Sequence, residues 1–271
     1  MAELKYKLTN DTLFKMMFVK YPNLLKRLVA ELLGIQVGSI EKLTVRNPNI
    51  PPEEVGKKFC QLDINMTVDG QLVDLEIQVN DEGDYPERSL YYWAREYSSA
   101  LDEGKNYSKL PRAIVVSIVA FPLFACEEFH SEFRPLEVTR HTVLTDRMSL
   151  HYFELEKLPE ELDAGDELKL WLAFFKAETE EELSKIQSIG GEVMAQAVEA
   201  YRHVSATEEF IMLERLRSDT RHNEASALAN AERKAIAKNT LELAKKMKAE
   251  EFDVNVIAKI TGLTVDDILK L

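Results

Sequence analysis

The sequence predicts an α/β domain followed by a mostly α-helical C-terminal region, and three stretches carry that prediction. Residues 61–79, QLDINMTVDGQLVDLEIQV, alternate apolar and polar residues on either side of Asp69-Gly70, a dipeptide that favours a two-residue hairpin turn. RAIVVSIVAF, starting at Arg112, is the nearly unbroken β-branched run of a strand covered on both faces. After Glu160 almost every segment favours helix, including residues 223–252, which contain neither Pro nor Gly and suit a long exposed helix or coiled-coil arm.

Taken in chain order, TNDTLFKMMF starts with a polar cap and continues at helical spacing. NLLKRLVAELLGI repeats this after Pro22 and stops at Gly34. IEKLTV reads as a strand and NPNIPPEEVGKK as a Pro-rich connection. In the hairpin, placing Val68 opposite Gln71 pairs Met66 with Val73, Ile64 with Leu75 and Leu62 with Ile77 on an apolar core face that also takes Cys60. On the other face Asn65 meets Asp74, Asp63 meets Glu76 and Gln61 meets Gln78. Residues 87–102 form an amphipathic helix with Leu90, Trp93, Ala94, Tyr97 and Leu101 on its packed stripe, closed by Gly104. LEVTRHTVL and LHYFELEKL read as further strands around a turn near Asp146. The terminal VNVIAKITGLTVDDILKL has a helix, Gly turn, helix rhythm, but its acidic and very short second helix suits packing or oligomerisation better than reading DNA. These shifts divide the chain into residues 1–160, a helical region 161–252 and an appendage 253–271.

Composition narrows the chemistry. The apolar runs are too short or Pro-broken to cross a membrane, the N-terminus lacks a cleavable apolar stretch, and two cysteines without metal spacing suit a reducing, cytoplasmic setting. A net charge of −13 argues against indiscriminate nucleic-acid binding, although the acids concentrate after residue 112 and leave room for local basic surface from Lys57, Lys58, Arg88, Arg95, Lys105, Lys109 and Arg112. The five histidines lack metal spacing in the sequence and are assigned surface or packing roles. Trp93 and Tyr97 are assigned to packing, while Tyr92 lies off their stripe. Two like charges at Asp63 and Glu76 repel unless water or a cation separates them, so that face is either a solvated polar surface or a metal site.

An Asp on one strand and Glu-x-Gln on the next, followed by a helix and a buried strand, resembles the PD-(D/E)XK nuclease core, a restriction-endonuclease-like mixed sheet flanked by helices. TNDTLFKMMF, LLKRLVAELLGI, the hairpin, RSLYYWAREYSSALDEGKNYSKLPRAIVVSIVAF and IAKITGLTVDDILKL, in this order, resemble more particularly the Rpn family of recombination-promoting nucleases and transposases. The resemblance implies a magnesium-dependent DNA endonuclease, with manganese able to substitute, linked to DNA recombination and transposase-like activity. Asp63 and Glu76 correspond to the two motif carboxylates, the Ile77 carbonyl joins them on the metal, and Gln78 takes the place of the motif lysine. The resemblance also implies that Asp11, in an Asp-x-x-Phe-Lys stretch with Phe14 and Lys15, lines the same pocket. Lys15 and Arg88 are the bases able to compensate for the charge that glutamine lacks, and with Tyr92 they are the DNA-facing candidates. Sequence Leu62-Asp63 departs from the Pro-Asp that names the motif. The C-terminal helices would pair subunits in a homodimer. The rival readings are a catalytically weak or inactive nuclease-fold regulator that binds DNA or protein, and a structural interaction protein.

Overall fold

Asp69 and Gly70 both adopt positive φ (48° and 82°), the geometry that lets a two-residue turn follow the twist of its strands. The Asp69 carboxylate also accepts the backbone N–H groups of Glu41 and Lys42, tying the turn to the chain entering the sheet. The structure is a computed structural model and describes residues 2–46, 49–50, 60–61, 63–101, 104 and 106–271. Strands β1 (Leu43–Val45), β4 (Ile64–Val68), β5 (Gln71–Gln78), β6 (Ala113–Val119), β8 (Met148–Glu154) and β7 (His130–Phe133) lie in that spatial order in one six-stranded sheet. β2 (Asn49–Ile50) and β3 (Cys60–Gln61) form a separate pair. β5, β6 and β8 are parallel neighbours and the outer pairings are antiparallel, which makes the sheet mixed.

The hairpin register is the one the alternation predicts, with Ile64 opposite Leu75, Asn65 opposite Asp74, Met66 opposite Val73 and Val68 opposite Gln71. It ends at Ile64, however, and Gln61 pairs with Asn49 and Cys60 with Ile50, so neither belongs to the hairpin. The expected partner of Ile77, Leu62, lies outside the described residues, as do Lys57, Lys58 and Lys105.

One face of the sheet carries the main core. Helices α1 (Asp11–Lys20) and α2 (Pro22–Leu33) cover it together with α4 (Glu167–Lys176), α5 (Glu180–Ile189) and α6 (Gly191–Ser205). The Asn10 side chain caps α1 by accepting the N–H of Leu13, and Gly34 closes α2 at φ 63°. The two compact units are Met1–Ile211 and Met212–Leu271, because Trp171, Phe174, Phe175 and Tyr201 complete the first core. The contacts therefore divide the chain well beyond residue 160. Helix α7 (Glu208–Ala249) leads into the second unit, where α8 (Val254–Thr261), Gly262 at φ 72° and α9 (Val265–Leu269) enclose a small core of Ala244, Met247, Ile257 and Ile268.

Helix α3 (Tyr85–Ser99) crosses between β5 and β6 on the other face, and its buried stripe differs from the predicted one. Leu90 is 45% exposed and Ala94 is exposed, whereas Tyr85, Ser89 and Glu96 are buried and Trp93 is half-buried, donating its indole N–H to the Ala113 carbonyl. The stripe is rotated because the sheet surface beneath it is itself polar, presenting Asn65, Asp74, Glu76 and Ser117, all buried. LEVTRHTVL forms only an isolated Leu136–Val143 bridge, and the edge strand is His130–Phe133. β6 is buried along its whole length, as its β-branched run requires.

On β7 and β8, His130 and His151 contact through ring nitrogens 3.2 Å apart, and the Ser149 hydroxyl lies 3.1 Å from the other nitrogen of His151. Burial pulls the His151 pKa from 6.5 down to about 4, and the nearby charges of Arg112 and Arg134 act in the same direction against that of Glu132. The unfolded imidazole protonates near its ordinary value and the folded one only near 4, so His151 costs nothing above about pH 6.5 and destabilises the fold as pH falls toward 4. Chemical denaturation between pH 7 and 4.5 should show His151→Gln losing less stability than wild type, by on the order of 1–3 kcal/mol. Parallel acid limbs would contradict that assignment.

Candidate metal centre

Where the hairpin ladder stops, two side chains replace its hydrogen bonds. The backbone N–H of Asp63 donates to Glu76 Oε1 at 2.7 Å, and the backbone N–H of Ile77 donates to Asp63 Oδ2 at 2.8 Å. Each carboxyl group is thus anchored on the neighbouring strand's backbone, and the crossed pair holds the two acids side by side. The Ile77 carbonyl points to the same strand edge as its N–H, because N–H and C=O of one strand residue face the same neighbour.

Helix α1 supplies the facing wall. Lys15 Nζ lies 3.0 Å from Asp63 Oδ1 and 2.7 Å from Asp11 Oδ1, an ammonium bridging two acids one helical turn and one strand apart. Burial works against the Lys15 charge, but Asp63 and Asp11 outweigh it and leave the pKa raised. α1 is fixed there by Leu13, Phe14, Met17 and Phe18, all fully buried in the core.

Behind the pair lies a second acidic layer. Asp74 is 1% exposed, and among the described residues its carboxyl has no polar partner besides the neighbouring carboxyl of Glu76. Glu96, 4% exposed on α3, accepts from Arg46 Nη1 at 2.9 Å and from the Asn65 side-chain amide. Burial, and then the Asp11 charge, raise the Asp63 pKa; burial, and then the Asp63 charge, raise that of Glu76. Asp74 is pushed up by burial and by the charges of Glu76, Asp63 and Glu96. A proton shared between Asp74 and Glu76 relieves the pair, and so would a cation.

The other sequence candidates sit farther out. The Gln78 side-chain amide donates to the Asn80 carbonyl at 2.7 Å. Arg88 donates to Glu82 at 2.8 Å and lies over the Tyr85 ring, 5.0 Å from its centroid. Tyr92 is half-buried on α3 with its ring tilted against Tyr91. Arg112 reaches Ser149 and not the acids. The structure thus brings together Asp11, Lys15, Asp63, Glu76 and Ile77, and it adds Asp74, Asn65, Glu96 and Arg46. Asn65 and Asp74 are visible in the register, while Glu96 lies off the apolar stripe of α3 and carries no periodic signal.

Among the described residues no three carboxylate, imidazole or thiol groups converge as a ready-made cage. The donor set still fits a hard divalent cation, since magnesium takes one or two protein carboxylates and fills its octahedron with water and phosphate oxygens. The buried carboxyls of Asp74 and Glu76, each pushed toward its neutral form by burial and by neighbouring acids, are the sign within the protein itself that a cation would be stabilised here.

A sequence model of the PD-(D/E)XK nuclease family transposases matches residues 8–231, which takes in this hairpin, α1 and α3. The chain belongs to that family. Family membership supports a nuclease or transposase-like function, and nucleases of this superfamily typically use divalent metals. No curated protein and no solved structure matches the chain significantly. Among the described residues, no helix is long and apolar enough to cross a membrane.

The strain in the second layer is measurable. Asp74→Asn keeps the shape, removes a carboxyl and gives Glu76 an N–H donor. In chelator at pH 8 it should stabilise the protein by about 1 kcal/mol in denaturant titrations. Loss of stability would show that Asp74 is satisfied in a way this geometry does not include.

Proposed function

We propose that the chain is a magnesium-dependent DNA endonuclease that hydrolyses phosphodiester bonds, with manganese able to substitute, acting in the cytoplasm in recombination or transposase-like processing. The observation that carries this reading is the crossed pair of hydrogen bonds that fixes Asp63 and Glu76 side by side. Asp63, Glu76 and the Ile77 carbonyl would hold the ion. Once bound, a divalent cation lowers the pKa of a water and neutralises charge growing on the phosphoryl oxygens. Gln78 would exchange its bond to Asn80 for one to the attacking water, which it can orient but not charge. In the reaction the water oxygen forms a new bond to phosphorus as the bond to the leaving sugar oxygen breaks. The water's proton passes to solvent, and the leaving oxygen recovers one from solvent. Arg88 and Tyr92, on the helix beside the site, would meet DNA.

A second reading is favoured by one observation, the commitment of the Gln78 amide to a local turn. It makes the chain a nuclease-fold regulator that binds DNA or protein without cutting.

Supercoiled plasmid separates the two. With magnesium, wild type should nick it, and Asp63→Ala and Glu76→Ala should reduce nicking by at least about 1000-fold, as loss of a transition-state electrostatic group does. Intact plasmid in every lane, at protein concentrations that bind DNA, would favour the regulator. We also propose a homodimer paired along α7, where Leu216, Leu228 and Ile236 are exposed. Sedimentation should give twice the chain mass, and a monomer at high concentration would exclude it.

A further inference from the structure

We propose that, among the described residues, Lys15 is the cation this site presents to the scissile phosphate, a catalytic residue delivered by α1 and not by the hairpin that carries the acids. The inference rests on metal-dependent hydrolysis at Asp63 and Glu76.

Phosphodiester hydrolysis gathers negative charge on the phosphoryl oxygens, and a fixed positive group aimed there is worth more than any mobile one. Gln78 cannot be that group, since its amide is neutral and is spent on the Asn80 carbonyl. Arg88 is drawn off by Glu82 and the Tyr85 ring, and Arg46 is held by buried Glu96. Lys15 instead contacts the proposed metal carboxylate directly, 3.0 Å from Asp63 Oδ1.

Its ammonium has three donors, of which Asp63 and Asp11 take two, and its side chain is 26% exposed, so the charge is reachable from outside. The α1 backbone beneath it is immobilised by the Asn10 cap and by Phe14 and Phe18 in the core, which spares the reorganisation that a surface lysine would need. Asp11 gives the arrangement its logic. Were Asp63 to hold a cation, Asp11, one turn away on the same helix, would keep the Lys15 ammonium at the site with a donor left for a phosphoryl oxygen. Asp11 is therefore a positioning residue.

The test compares wild type, Lys15→Met, Lys15→Arg and Asp11→Asn as full-length proteins. Three quantities are read: the single-turnover rate on supercoiled plasmid at saturating magnesium, manganese affinity by calorimetry, and affinity for a labelled duplex in calcium. Lys15→Met should slow cleavage about 100-fold or more. Its manganese affinity should be unchanged or tighter, and its duplex affinity should stay within about threefold of wild type, an amount worth under 1 kcal/mol. Lys15→Arg, which keeps a positive charge, should recover at least about tenfold of that loss. Asp11→Asn should lower the rate at saturating DNA while leaving the half-saturating DNA concentration unchanged. If Lys15→Met does not fold, Lys15→Gln is judged by the same criteria. Cleavage by Lys15→Met within about threefold of wild type, or a rate loss no larger than its loss of duplex affinity, overturns the inference. With Asp63→Ala inactive in the same assay, the metal reading would survive that result. A wild-type protein that binds the duplex and never cuts it overturns both.

Discussion

The site depends on a substitution of side chains for backbone at the end of one hairpin. Past Ile64 and Leu75 the ladder hydrogen bonds cease, and Asp63 and Glu76 each take over one backbone N–H of the opposite strand. Those bonds do two things at once. They satisfy donors that the end of the ladder would leave open, and they fix the direction of both carboxylates, which free side chains of like charge would not hold. The rest of the site answers to that pair: Lys15 because Asp63 is there, and Asp74 as a buried carboxyl set against that of Glu76.

Burying these acids under α3 takes them out of water and makes their charged forms costly, so the fold compensates with polar partners. Glu96 is held by Arg46 and Asn65, which ties α3 to β1 and β4 through polar groups where an apolar seam was expected. Removing one member of such a buried ion pair commonly costs about 3–5 kcal/mol, and less where one partner is partly exposed, as Arg46 is. On the opposite face the large aromatic core of Phe14, Phe18, Trp171 and Phe175 supplies the stability against which this polar face is set. One face of the sheet thus carries the large aromatic core, and the other sets buried acids beside a smaller apolar cluster of Tyr85, Val115, Val119 and Tyr152.

Much of this was legible in the sequence, and the reasons for the remainder are physical. The register followed from alternation, because a one-residue slip would have mixed apolar and polar partners on both faces. The ends of α2 and of α8 followed from Gly34 and Gly262, which occupy left-handed backbone. The buried face of α3 did not follow, since periodicity locates an apolar stripe and this helix buries Ser89 and Glu96 against a polar sheet while leaving Leu90 exposed. The His130–His151 pair was beyond reach for another reason: it joins residues on two strands, and spacing alone carries no sign of it, whereas Lys15 at the acids was implied by the family resemblance and by no spacing. Residue 78 could be named as a glutamine, but that its amide turns to Asn80 is a property of the loop that follows.

The most direct measurement is anomalous diffraction from crystals soaked in manganese. The account requires a peak with Asp63 and Glu76 carboxylate oxygens both within about 2.2 Å, near the distance expected for a small divalent ion, and Lys15 shifted away from Asp63. A peak bound elsewhere, or none at a concentration that occupies other manganese sites, with Lys15 still seated between Asp11 and Asp63, would contradict it.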